Sequence, residues 1–184
     1  RAVSREVREI FHRYSDLVEP LALDEAYLDV THPLSGPPSA TLIARAIKAD
    51  VLRETGLTAS AGVAGGKFLA KVASGMRKPD GLTVILPDEA RAFIARLPIE
   101  RFHGVGPRTA ERMRALGITN GAELRARPVE ELEQHFGKPG RFFHQMANGH
   151  DDRPVEPHRE RKSIGSETTL ERDLERRADL EPIL

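Results

Sequence analysis

The chain has 184 residues, 39% hydrophobic and 30% charged, enough for one or two small domains with a real core and a heavily charged surface. Its 28 basic and 28 acidic side chains cancel, so the whole-chain charge advertises no nucleic-acid partner and charge has to be read locally. There is no cysteine, which excludes disulfides and thiolate metal centres; no apolar run approaches the roughly 18 residues of a membrane span, no signal peptide is visible, and a cytoplasmic protein is the default expectation.

Val3, Val7, Ile10 and Phe11 recur at helical spacing and predict an amphipathic helix over residues 3–14. Residues 18–30 predict two short strands around Asp24 and Glu25, and residues 31–38 a turn region rich in Pro, Gly and Ser. Ser39 is placed to cap a helix running to about residue 55, with Leu42, Ile43, Ala46, Ile47 and Val51 on its inner face and Gly56 at its end. A strand over residues 58–63, a Gly65-Gly66 turn, a helix over 67–76, a turn over 78–81 and a strand over 82–86 follow. This mixture predicts an α+β fold, a sheet with helices packed on one face. From Pro87 strand signals vanish and short helices are expected over 88–97, 107–116, 121–126, 129–136 and 140–148. A domain boundary near Pro87 would separate an α/β unit (1–86) from a small all-α unit (87–152), with 153–184 a charged, Pro-containing linker and the start of a further domain. The chain opens on Arg1 inside a helical pattern and stops at Leu184 after a charged stretch, so both ends are expected to lie inside a longer protein.

Three segments carry chemistry. Leu23-Asp24-Glu25-Ala26-Tyr27-Leu28-Asp29 sets two adjacent carboxylates in an otherwise apolar, strand-like run. Unpaired buried charge is costly, so such a pair implies a cation to hold, and hard oxygen ligands beside substrate phosphates suit Mg²⁺. The bland alternative is a solvated acidic turn. Asp29 lies too far along an extended strand to chelate with Asp24 and is expected to be structural, with Tyr27 packing beneath the site. Residues 62–81 join a glycine turn to a helix carrying Lys67 and Lys71 and end in Arg77-Lys78-Pro79-Asp80-Gly81. A helix N-terminus favours anions, and Lys78, before a rigid proline, could meet a triphosphate. The alternative is a solvated amphipathic helix with Phe68, Leu69 and Val72 in the core. Residues 97–118 predict a short helix, a Gly104-Val105-Gly106 hairpin and a second helix begun by Pro107 and stopped by Gly117, in a frame of Ile99, Val105, Ala110, Met113, Leu116 and Ile118. In such a helix-hairpin-helix the glycines let backbone N–H groups approach DNA phosphate, with Arg108, Thr109, Arg112 and Arg114 adjoining. His103, His135, His144 and His150 lack paired metal-ligand spacing, and Phe136, Phe142 and Phe143 are expected in the core.

The three segments, in this order, resemble the Y-family DNA polymerases, most closely the bacterial DNA polymerase IV group. The resemblance covers about residues 1–170 and implies a palm sheet with helices on one face followed by an all-α thumb. It implies that Asp24 and Glu25 are catalytic ligands of two Mg²⁺ ions ~3.5–4 Å apart, and that Lys78 binds the triphosphate. Lys67, Lys71, Gly104, Val105, Gly106, Arg108, Thr109 and Lys162 would contact DNA. Arg161-Lys162-Ser163-Ile164-Gly165 resembles the start of the little-finger domain. Ala22 and Gly66 depart from the family's usual Ser and Asn. The family's first metal-binding Asp and its fingers would lie upstream of Arg1, so the chain alone is expected to be inactive. The implied reaction is template-directed nucleotidyl transfer in translesion DNA synthesis and repair. The implied partners are primer-template DNA, a dNTP and a sliding clamp, with a monomeric, membrane-free protein. A non-catalytic helix-hairpin-helix DNA-binding module and a nuclease are the competing readings.

Overall fold

The computed structural model of the chain describes residues 2–158. Its first half is α/β. Helix α1 (Ala2–His12) leads into an antiparallel hairpin of β1 (Val18–Pro20) and β2 (Ala26–Leu28), in register Val18 to Leu28 and Pro20 to Ala26. Helix α2 (Ala40–Thr55) follows. Strand β3 (Ala61–Val63), helix α3 (Lys67–Ser74) and strand β4 (Leu82–Val84) then form a βαβ unit with parallel strands, α3 being the crossover. Among the described residues the strands make two separate pairs, β1–β2 and β3–β4. The second half is helical: α4 (Pro87–Arg96), a 3₁₀ turn (Ile99–Arg101), α5 (Pro107–Ala115), α6 (Gly121–Ala126), α7 (Val129–Phe136) and α8 (Lys138–Ala147). No helix among the described residues is long and apolar enough to cross a membrane.

The expected elements are all present, with shifted ends. Residues 58–63 and 82–86 shrink to three paired residues each. The Ile85 N–H makes one last bond to the Val63 carbonyl (2.9 Å), after which Leu86 stands as the N-cap of α4. Proline in the first turn starts α4 and α8 earlier than the polar pattern suggested. Ser39 occupies the N-cap of α2 with extended backbone, yet its side chain makes no capping bond. Leu42 is exposed rather than inward, because the stripe that packs is Ile43, Ala46, Ile47 and Val51, and Leu42 falls one residue off it. Gly56 ends α2 in the left-handed region at φ 71°.

Two cores result. In the smaller, α1 and the turn that follows it lie on α2 through Ile10, Tyr14, Ile43 and Val51, with Val7, Phe11 and Val30 alongside. The larger runs from Phe68, Leu69 and Ala73 of α3 through Ile85 into Ile94, Phe102, Met113, Leu124, Leu132 and Phe143. Packing is therefore continuous across Pro87, and Phe68 meets Phe102 with ring centroids 5.2 Å apart. Phe143 is buried, and Phe136 and Phe142 pack against the same core, as expected.

The smaller core carries an ion-pair edge. Arg13 grips Glu54 with two 2.7 Å hydrogen bonds, and Arg53 reaches Glu54 (2.7 Å) and Asp50 (2.6 Å). The Arg13 guanidinium, with Arg53 behind it, holds the Glu54 carboxyl down at about 2. Burial, and then its 2.7 Å hydrogen bond to Asp50, pushes the Tyr14 phenol up to about 12. A carboxyl depressed on folding stabilises the fold above its ordinary value of 4.5, and that contribution disappears as pH falls through about 2. Glu54→Gln lacks it at every pH. The difference in melting temperature between wild type and Glu54→Gln should therefore be present at pH 7 and shrink towards zero between pH 4.5 and 2. A gap that stays constant over that range would remove Glu54 from the acid-labile set.

Candidate active site and nucleic-acid interface

The acidic pair sits on the loop between β1 and β2. Bonds from the Leu21 N–H (2.9 Å) and the Ala22 N–H (3.3 Å) to the Glu25 carbonyl close the loop. Helix α1 braces its outer side, Ser4 Oγ donating to the Leu23 carbonyl and Arg8 Nη2 to the Ala22 carbonyl at 3.2 Å. Asp24 is exposed at the apex and makes no hydrogen bond or ion pair among the described residues. Glu25 turns to the other side, its Oε2 2.5 Å from Lys71 Nζ. Asp29 turns back on its own backbone, accepting the Thr31 N–H at 2.9 Å, and bonding to Thr31 holds its carboxyl below the ordinary range, consistent with the structural role expected of it. Tyr27 is half-buried beneath Lys67, whose Nζ lies 5.1 Å from the ring centroid, and burial pushes its phenol up.

Helix α3 presents Lys67 and Lys71, one turn apart, to the hairpin. Lys67 Nζ is paired with Glu19 on β1 and bonds the Pro154 carbonyl at 2.9 Å; both side chains of that pair are 11% exposed. The Lys71–Glu25 pair is far more open, at 42% and 37%. Both lysines expected at DNA are thus paired with carboxylates of the hairpin. The N-terminus of α3 does hold an anion, but it is the chain's own: Asp151 Oδ2 accepts the Phe68 N–H at 2.6 Å across 83 residues, where Gly66, the N-cap, has no side chain to offer.

Residues 151–156 are accordingly a strap docked on the α/β half rather than a loose linker. Arg153 grips Asp151 at 2.5 and 2.9 Å and lies over the Phe142 ring at 5.4 Å, while the Glu156 N–H donates to Glu19 at 2.8 Å. Burial pushes the Asp151 carboxyl up, but the bonds from Arg153 and the Phe68 N–H outweigh it and hold it below its ordinary range. Sequence reasoning passed over Glu19, Asp151 and Arg153. Glu19, a charge between Val18 and Pro20 on an inward-facing strand, was the available signal; the partners of Asp151 were not visible without the fold.

Lys78 is exposed, on a turn whose Lys78-Pro79 peptide bond is cis. Lys48 of α2 fixes that turn, donating to the Ala59 carbonyl (2.6 Å) and to the carbonyl and carboxylate of Asp80 (2.7 and 2.5 Å). The Lys78 ammonium itself has no partner among the described residues. In the helical half, Gly104 takes φ 81° at the hairpin and Gly106 caps α5. A Cβ added at Gly106 would meet no atom within 4 Å, so packing does not require glycine there and its backbone faces open space. Val105 is half-buried against the core and Thr109 half-buried; Arg108 is exposed. Arg112 and Arg114 are occupied within the chain, by the His135 carbonyl and by Glu100 respectively. Lys162 and the segment 161–165 lie outside the described residues.

The donor set suits a divalent ion in part. Asp24 and Glu25 offer hard oxygens at a braced apex, and Glu25 already faces a cation; among the described residues no group of three or more His, Cys, Asp or Glu side chains is assembled to hold a metal.

Comparison with known proteins identifies the family. The impB/mucB/samB family model matches residues 1–75, and the IMS family HHH motif matches residues 87–118. The chain is 60% identical to a DNA polymerase IV of Akkermansia muciniphila over 98% of its length and 55% identical to that of Gluconobacter oxydans over 97%. It spans about half (50%) of the length of each. Among solved structures it matches DinB from Sulfolobus solfataricus (TM-score 0.78, 32% identity, 85% of this chain and 46% of that one). It also matches the insertion ternary complex of Dbh DNA polymerase (TM-score 0.78, 33% identity, 84% and 46%). The chain belongs to the Y-family of DNA polymerases, in the DNA polymerase IV group.

The strap and the Lys67–Glu19 pair make separable predictions. Asp151→Ala removes a helix cap worth about 1 kcal/mol together with the partly exposed pair with Arg153, and should lower the melting temperature by at least about 2–4 °C. Glu19→Ala strands an enclosed ammonium, which costs about 3–5 kcal/mol, and should do markedly more damage. Thermal unfolding of the two variants at pH 7 ranks them; equal effects would mean that Glu19 and Lys67 are not enclosed together.

Proposed function

We propose that the chain is the palm (1–86) and thumb (87–152) portion of a DNA-directed DNA polymerase that copies damaged template, with 153–184 leading towards a little-finger domain. The observation that carries this is the braced apex: two adjacent carboxylates, one facing solvent and one holding a lysine, in a half that also fixes an exposed Lys78 and is followed by an exposed glycine hairpin. In the proposed reaction the primer 3′-oxygen bonds to the α-phosphorus of a dNTP, and the bond to the leaving pyrophosphate breaks. Asp24 and Glu25 would hold Mg²⁺, which supplies Lewis-acid neutralisation of phosphoryl charge when bound. Lys78, kept in place through Lys48 and Asp80, would place an ammonium on the triphosphate, where charge accumulates on the leaving oxygens. The backbone at Gly104, Val105 and Gly106, with Arg108 and Thr109, would hold duplex phosphates; such contacts position without reading sequence and weaken with salt. Lys71 borders the same apex, whereas Lys67, enclosed by Glu19 and the strap, acts by holding the hairpin to α3. A sliding clamp, a cytoplasmic location and a monomeric state belong to the same proposal by family resemblance.

The test is primer extension with Mg²⁺ and dNTPs by a chain extended to the length of its relatives. The extended chain should elongate a primer, and Asp24→Ala with Glu25→Ala should reduce extension by at least about 100-fold, the scale on which loss of transition-state charge stabilisation is felt. Extension that survives the double substitution overturns the assignment. Salt-sensitive duplex binding with no extension in any form, indifferent to Mg²⁺ and dNTP, would leave a DNA-binding module.

A further inference from the structure

We infer that Lys71 is a placeholder cation, a positioning residue that holds the Glu25 carboxylate in the metal-free site and must release it when a divalent ion binds, so that lysine and metal compete for one carboxylate. This rests on the assignment of Asp24 and Glu25 as the metal ligands.

The contrast between two lysines one turn apart carries the inference. Both leave the same face of α3 and both meet a hairpin carboxylate. The Lys67–Glu19 pair is enclosed, 11% exposed on each side, and is tied to the strap through Pro154 and Glu156, so neither partner can leave without stranding a charge. The Lys71–Glu25 pair is 42% and 37% exposed, and among the described residues each side chain has only the other as its partner. Water can replace either partner there at small cost.

The surrounding backbone confines the exchange to side chains. Helix α3 is pinned to β3 at Gly62, where an added Cβ would lie 2.1 Å from the Ala70 carbonyl oxygen and 2.4 Å from the Ser74 nitrogen, and at its N-terminus by Asp151. The loop that bears Glu25 is held from α1 through Ser4 and Arg8. With both supports held, rotation of the Lys71 or Glu25 side chain is enough to part the pair. Asp24, one residue away, has no such partner among the described residues, so the two carboxylates start from different states: Asp24 is open to a cation and Glu25 is already engaged.

Competition of this kind has a sign. Removing the lysine charge should tighten metal binding, whereas loss of a merely supporting contact would leave it unchanged or weaken it. The experiment measures Mn²⁺ binding to the chain extended to the length of its relatives, by the loss of the free-ion electron paramagnetic resonance signal, for wild type, Lys71→Met, Lys71→Gln, Lys71→Arg and Asp24→Asn with Glu25→Gln, with thermal unfolding of each as the check on folding. Lys71→Met and Lys71→Gln should bind Mn²⁺ about two- to fivefold more tightly, the range an exposed ion pair spans. Lys71→Arg, which keeps the charge, should stay close to wild type, and the carboxylate double variant should lose the site. Unchanged or weaker binding in both neutral variants, with the site lost in the carboxylate variant, overturns the placeholder role and leaves the metal assignment standing. Binding that survives loss of both carboxylates, or no binding in any form, overturns the metal assignment and this inference with it.

Discussion

The ion pair between Lys67 and Glu19 is the constraint around which the rest of the α/β half is arranged. Two almost enclosed charges are tolerable only when matched and hydrogen-bonded, and here the bonds to Pro154 and from Glu156 also join separate parts of the chain. Glu19 accepts from α3 and from the Glu156 backbone; Lys67 donates in turn to Pro154 and lies over Tyr27. One buried pair therefore fixes the hairpin, the crossover helix and the strap relative to each other. Hydrophobic contact, which is non-directional, would leave the hairpin freer to slide along α3.

That constraint reaches into the helical half by a second route. The residues that follow Lys67, Phe68 and Leu69, belong to the larger core, and Phe68 packs on Phe102 just before the glycine hairpin. Asp151 then returns from the end of the helical half to cap the same turn of α3, and Arg153 joins it to Phe142. A single helical turn thus receives the hairpin on its charged side, the helical core on its apolar side and the strap at its end. The exposed Gly104-Val105-Gly106 backbone is held at a defined place with respect to the Asp24 loop, although the two are eighty residues apart in sequence. Preorganised placement of this kind is what the proposed two-part site on separate elements would need.

Much of this was legible in the sequence because it is written in local patterns. The 3.6-residue periodicity gave α1 and α2, proline and glycine punctuation bounded α5 and α6, and the Gly104-Val105-Gly106 hairpin with its apolar frame needed no tertiary information. The acidic apex was legible because Asp24 and Glu25 contradict the apolar run around them. What was not legible depends on long-range pairing. Lys67 and Lys71 look like equivalent surface lysines, and only the register of α3 against the hairpin separates an enclosed pair from an open one. Asp151 looks like part of a charged linker because its partners, the Phe68 N–H and Arg153, gain meaning only when residues 83 positions apart meet. Leu42 was misplaced for the opposite reason: a generous apolar stripe was read where the helix buries a narrower one.

The same distinction sets the two carboxylates of the apex apart. A carboxylate fully paired in the interior, as Glu19 is, could not exchange partners without stranding a charge. Asp24 instead stands in solvent, and Glu25 against a half-exposed lysine. The loop backbone is held by α1 and by its own closing bonds, so its geometry does not depend on what the carboxylates hold. Lys78 follows the same plan from the other end of the βαβ unit: Lys48 and Asp80 fix the turn, and the ammonium that would do chemistry is left unpaired among the described residues. At the hairpin, the enclosed Lys67–Glu19 pair supplies rigidity, while the Lys71–Glu25 pair is left open to water.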